Sequence, residues 1–312
     1  MADQLGLFNQ RGSKDDNTQL LVQPIEPITL ISSYGNKGKF QIGDNGRFRF
    51  LNNYELHGNY LNRVLTQYVN LGNHSIKENI RNLSIPSARI KGIGNFLKAN
   101  DLISDDERIT LFGMLLLKND PHLLDKGLLW LLHYFTSSNA NLLLWSRLFN
   151  DLLESGEEVS PKVFIGQYFD VIAGMKQKTF IWNGSNEIGA ILRTYSEGLF
   201  KPLKFMIHNQ DKHIFIQDDF YIPDSIWLAC ILVYRDRYFP GVASLENDQI
   251  IYGEYSPGKI FRQNDTKIRV VLDKLHNKGL VSVETRLGLD QIRFKDNYSW
   301  LDAVNSYFEE DK

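Results

Sequence analysis

A chain of 312 residues is too long for one small core and suits two or three domains, and with 43% hydrophobic and 12% aromatic residues most of it can be buried. A formal charge of −2 excludes an overall basic field, so any nucleic-acid contact must come from local patches. The single cysteine, Cys230, excludes an intramolecular disulfide and a cysteine-built zinc site, and it fits a reducing, cytoplasmic home.

Residues 1–38 are polar at first and then carry Pro24 and Pro27, which predicts a partly disordered N-terminal extension without a secretory signal. Residues 39–115 read as a winged-helix-like module. Lys39–Ile42 and Arg47–Phe50 flank Gly43-Asp44-Asn45-Gly46 as a hairpin. Leu61, Val64, Leu65 and Tyr68 share one helical face and predict a helix over 56–71. A short second helix is expected at Ser75–Leu83, then a third striped by Ile90, Ile93, Gly94 and Leu97. Asp101-Leu102-Ile103 and Ile109-Thr110-Leu111-Phe112 predict two short extended pieces.

Residues 116–240 read as a helical middle domain. Asp120 is the expected cap of a helix with Pro121 in its first turn, running through Leu123–Phe135. Further helices are expected at Leu142–Leu153, Pro161–Met175, Glu187–Glu197 and Ser225–Tyr234, with strands at His213–Ile216 and Phe220–Ile222. Gly127–Ser146 lacks charge, but the polar run Thr136–Asn141 divides it, so two buried helices are predicted and no membrane span. Trp130, His133 and Cys230 are read as core residues.

Residues 241–312 repeat the logic of the first module and end in a tail. A short helix at Leu245–Tyr252 and a turn at Ser256–Lys259 precede a helix at Asp265–Asn277, whose stripe is Ile268, Val271, Leu272 and Leu275. Gly279 ends it, and Leu280–Glu284 with Asp290–Phe294 form a hairpin. The predicted class is mainly α with minor β: two winged-helix-like modules flanking a helical middle domain.

Lys267, Lys274 and Lys278 fall on one flank of the last module's helix, with Lys259 before it and Arg286 and Arg293 on the wing. A recognition helix with a basic wing needs this arrangement on duplex DNA. In the first module Ser87, Arg89, Lys91, Asn95 and Lys98 occupy the corresponding helix. The competing reading is a solvated polar face, or a winged module docking other proteins. The seven histidines are scattered: His208 and His213 lack a third ligand, and no metal or cofactor is expected. Asp218-Asp219 is read as a loop or cap pair. Gly35-Asn36-Lys37-Gly38-Lys39 lacks the spacing of a phosphate loop, and no nucleophile elbow, Rossmann fingerprint or zincin motif occurs. An enzyme with an unfamiliar site stays the third reading, because catalytic triads assemble only in three dimensions.

The run Asp120–Tyr134, then Ser137-Ser138-Asn139, Trp145, Phe149-Asn150, Leu192-Arg193-Thr194-Tyr195 and Ser256-Pro257-Gly258-Lys259-Ile260-Phe261, resembles the bacterial domain-of-unknown-function family 4007, over residues 55–295. The chain departs from that family's pattern at His57-Gly58-Asn59-Tyr60 and at Ser84-Ile85-Pro86-Ser87. Genes of this family lie near phage-defence and DNA-phosphorothioation genes. The resemblance therefore implies a defence or DNA-modification context, with duplex DNA and other defence-system proteins as expected partners. It implies no active site.

Overall fold

The structure is a computed structural model, and it describes residues 48–69, 83–153, 158–172, 174–209, 212–215, 220–285 and 289–310. The expected extension, the hairpin loop at 43–46, the glycine-lysine segment at 35–39, most of the helix at 75–83 and Asp218-Asp219 lie outside these residues. All described residues belong to one compact unit, Lys37–Lys312. Helices dominate, and strands are few and short.

The first helix, α1 (Gly58–Val69), buries Leu61, Val64, Leu65 and Tyr68, the face that the periodicity predicts. α2 (Ser87–Ala99) follows, burying Ile93, Phe96 and Leu97. The extended pieces reduce to a single bridge between Ile103 and Ile109. Leu111 and Phe112 are helical, because the Thr110 hydroxyl accepts from the Gly113 N–H at 3.0 Å and starts α3 (Leu111–Asn119).

Asp120 does not start the next helix. It closes α3, and its carboxylate accepts from the N–H groups of Leu124 and Asp125. Asp125 is the N-cap of α4 (Lys126–Ser137), accepting from Leu128 N–H at 2.7 Å. Every residue of α4 after Lys126 is buried, so the helix passes through the core. α5 (Leu143–Arg147) runs into a π-helical turn, Leu148–Leu152. Such widened turns recur at functional sites.

The middle continues with β1 (Glu158–Val159), α6 (Pro161–Tyr168) and the long α7 (Gln177–Ser196). α6 stops well before Met175, and α7 begins ten residues before Glu187. β2 (Met206–Asn209) and β3 (Lys212–Phe215) form a hairpin, and β1 adds to β3 to give an antiparallel sheet ordered β1-β3-β2. Phe220–Ile222 is not a strand. α8 (Asp224–Tyr238) is buried on nearly all sides, Cys230 included, and packs on α4.

The last part holds β4 (Ser244–Glu246), α9 (Asn247–Tyr252), α10 (Pro257–Phe261), α11 (Asp265–Asn277), β5 (Val281–Glu284) and β6 (Gln291–Phe294). The expected turn at Ser256–Lys259 is instead the start of α10: Ser256 accepts from Lys259 N–H, and Pro257 sits in the first turn. The tail is ordered as α12 (Trp300–Glu310), which lies along α8. One continuous core joins buried residues from Phe50 to Tyr307. Trp130 is 2% exposed at its centre, ringed by Phe205, Phe220 and Phe261. Among the described residues no helix is long and apolar enough to cross a membrane.

Candidate nucleic-acid interface

The C-terminal elements form a defined unit. Asn264 caps α11 by accepting from Lys267 N–H at 2.9 Å, and Gly279 takes a positive φ of 65° just past its end. Ile268, Val271, Leu272 and Leu275 face inward. The chain then returns as the β5–β6 hairpin, and β4 pairs with β6, so the sheet order is β4-β6-β5, all antiparallel. Arg269 ties helix to hairpin, with Asp265 at 2.7 Å and Asp290 at 2.9 Å.

The outward face of α11 carries Thr266, Val270, Asp273, Lys274 and Asn277. Lys274 is exposed there, beside the opposite charge of Asp273. The other two flank lysines turn toward α8. Lys278 pairs with Asp224 at 3.1 Å, and Lys267 Nζ lies 3.4 Å from the Phe220 carbonyl oxygen. Arg293 pairs with Glu284 across the hairpin at 3.4 Å, and Arg286 lies outside the described residues. Lys259 does not face outward with them but reaches Asp151 at 3.2 Å.

On α2 Ser87 and Lys91 are exposed. Arg89 is drawn inward, 3.1 Å from Glu55 and 4.9 Å from the ring centres of both Tyr54 and Tyr60. Asn95 donates to the Phe50 carbonyl at 2.7 Å, and Lys98 reaches the Asp105 carbonyl at 3.1 Å and Glu107 at 3.7 Å. The structure thus brings Ser87 with Lys91 and leaves Lys274 apart on the last module. The remaining described candidates brace the fold.

Two polar clusters lie beneath this surface. At the π turn, Arg147 holds Asp151 at 2.7 Å, Glu254 at 2.5 Å and the Tyr255 hydroxyl at 2.8 Å, while Asn150 accepts from Tyr255 N–H. Burial pushes the Asp151 carboxyl up, but the Arg147 hydrogen bond and the Lys259 charge outweigh it and hold the group below the usual range. The segments Phe149-Asn150 and Ser256–Phe261, far apart in sequence, meet here. Deeper still, Trp145 Nε1–H donates to the Tyr195 hydroxyl at 3.2 Å, and that hydroxyl lies 2.5 Å from His133 Nδ1. Burial pushes the His133 pKa down to about 3, with the Ile260 carbonyl opposing weakly. Nε2 has no hydrogen bond of good geometry, so that carbonyl is a neighbour and the imidazole stays neutral. Among the described residues, no three metal-binding side chains converge.

Two solved structures share the fold, "Magnesium ion-bound SspB crystal structure" and "SspB crystal structure". Each is 15% identical and superposes with a TM-score of 0.64 over 85% of this chain and 88% of the other. No curated protein matches. The family model described as "Protein of unknown function (DUF4007)" matches residues 75–308, most of the chain, and the protein belongs to that family.

Proposed function

We propose that this protein is a cytoplasmic DNA-binding recognition or regulatory subunit of a bacterial phage-defence or DNA-modification system. The observation that carries this reading is the C-terminal unit: strand, three helices, then a hairpin that pairs back on the first strand. We read this order as a winged helix, with α11 as the recognition helix and β5–β6 as the wing. The α1–α2 region with the Ile103–Ile109 bridge is a second, reduced module of the same kind. The family resemblance supplies the defence context.

In this reading Lys274 contacts phosphate, Thr266 and Asn277 lie beside base edges, and the other lysines set the angle of α11 against α8. One free phosphate contact contributes a slope of about −0.9 to log affinity against log salt. The test is binding of a labelled 20-base-pair duplex across a salt series, parent against Lys274→Glu. Weaker binding and a slope flatter by about one support the reading. A second reading, a protein-docking subunit, is favoured by Val270, which is 47% exposed at the centre of the same face. No duplex binding by the parent at low salt selects that reading.

A further inference from the structure

α6 and α7 pack closely where Gly184 lets the Ile165 side chain seat against the α7 backbone; a Cβ at that position overlaps Ile165. The two helices also border a groove of about 460 Å³, lined by Lys162, Gln177, Lys178, Ile181 and Trp182. Trp182 is 61% exposed, whereas Trp130, Trp145 and Trp227 are buried and Trp300 is half-buried. Val163, 54% exposed, extends the apolar surface beside it.

The charged residues lining this groove, Lys162 and Lys178, have one sign; Asp170, half-buried, follows α6. Residues 159–169 and 174–186 contain no Asp or Glu, and they carry Lys162, Lys176 and Lys178. All three lysines are exposed, and none forms an ion pair among the described residues. The next acid along α7, Glu187, is buried and turned to the backbone of residues 51–53. Lys178 and Trp182 are four residues apart, hence on one face of α7, and Lys162 approaches them from α6.

A flat aromatic face with unpaired cations around it matches one kind of polymer. An unpaired base stacks on an exposed indole, and its flanking phosphates meet the lysines. A duplex keeps its bases inside the stack and leaves the indole unused. An acidic peptide satisfies the lysines but has no planar group repeating beside them. We propose that the α6–α7 seam is a single-stranded nucleic-acid site, with Trp182 stacking on a base and Lys162 and Lys178 holding the backbone. The site is separate from the C-terminal unit and does not rest on the function proposed for it.

The test titrates the full chain with a twelve-residue oligothymidine at low salt, read by intrinsic tryptophan emission and by anisotropy of a labelled oligomer. The expected result is partial quenching, with Trp182→Ala abolishing the quenching and weakening binding roughly five- to a hundred-fold. Lys162→Gln with Lys178→Gln should flatten the salt slope by about 1.4, at about 0.7 per single-strand phosphate. Melting curves matching the parent show that these surface variants fold. Lys274→Glu, which tests the duplex site, should leave oligothymidine binding unchanged. Three outcomes overturn the proposal: no oligothymidine binding by the parent, binding unaffected by Trp182→Ala, or displacement of the oligomer by polyglutamate at equal charge. A fall in sedimentation mass on Trp182→Ala also overturns it, assigning the groove to a second copy of the chain.

Discussion

Glu187→Gln separates a carboxyl from the peptide segment it holds. Glu187 is fully buried on α7 and accepts from the N–H groups of Leu51 and of Asn53, the latter at 3.0 Å. Burial dominates and pushes its pKa from 4.5 up to about 7, against the hydrogen bonds and the Arg49 charge. The difference spans roughly 2.5 pH units, at about 1.4 kcal/mol each, so ionisation inside the fold costs about 3 kcal/mol. Between pH 4.5 and 7 the folded chain therefore binds the extra proton. The contribution of this group is complete below pH 4.5 and is lost as pH rises through 7. The amide variant leaves one N–H facing an NH₂ group, a cost of about 1–3 kcal/mol that does not vary with pH. His133 works in the opposite direction: its folded value near 3 lies below the ordinary 6.5, so its contribution is present above pH 6.5 and lost as pH falls through 3. It is common to both proteins and cancels in the difference. Urea denaturation of parent and variant at steps from pH 4.5 to 8 should show the parent losing about 3 kcal/mol relative to the variant toward high pH, enough to erase or reverse its low-pH advantage of about 1–3 kcal/mol. A gap that stays constant over that range refutes the reasoning and makes Glu187 an ordinary, permanently ionised cap.

Trp130→Ala should cost about 3–5 kcal/mol in thermal or urea melts, because a large aromatic leaves a site that α4 and its neighbours cannot collapse. Arg147→Met should cost about 3–5 kcal/mol in the same melts, since Glu254 is left part-buried without its cation and Asp151 keeps only Lys259. Gly127→Ala should destabilise by about 1–3 kcal/mol despite better helix propensity. Its Cβ would lie 2.6 Å from the Tyr307 hydroxyl oxygen, and Tyr307→Leu should recover part of that loss in a double-mutant cycle.

Legibility followed the chemistry of each segment. The bounds of α11, Asp265–Asn277, were readable because an apolar stripe and a closing Gly279 agree. α4 and α8 are apolar on nearly all sides, so periodicity says little about where they begin. Asp120 reads as the cap of the helix that follows, and only the fold shows that Asp125 starts α4 while Asp120 closes α3. Short α10 looks like a turn because five residues carry no period. For the interface, helical spacing places Lys267, Lys274 and Lys278 on one flank but does not reveal that Asp224 and the Phe220 carbonyl wait for two of them. Those partners come from α8 and the residues before it, more than forty positions away. The α6–α7 seam leaves a trace in the sequence: Lys162, Lys176 and Lys178 precede Trp182 with Asp170 as the one acid between Lys162 and Trp182, and Lys178 and Trp182 stand at helical spacing.

The contact of Tyr307 with Asp125 has a consequence for how the molecule comes into being. Its hydroxyl donates to Asp125 at 2.8 Å, across 182 positions, and its ring lies against Gly127 at the start of α4. The helix that runs through the centre is thus secured at its N-terminal end by a residue synthesised 182 positions after its cap. A nascent chain holding residues 126–238 but lacking 300–310 must keep one side of α8 open to water. Loop closure over so long a stretch is slow. Until it occurs the apolar α4–α8 pair is exposed to aggregation or to chaperones, so the arrival of α12 times the completion of the core.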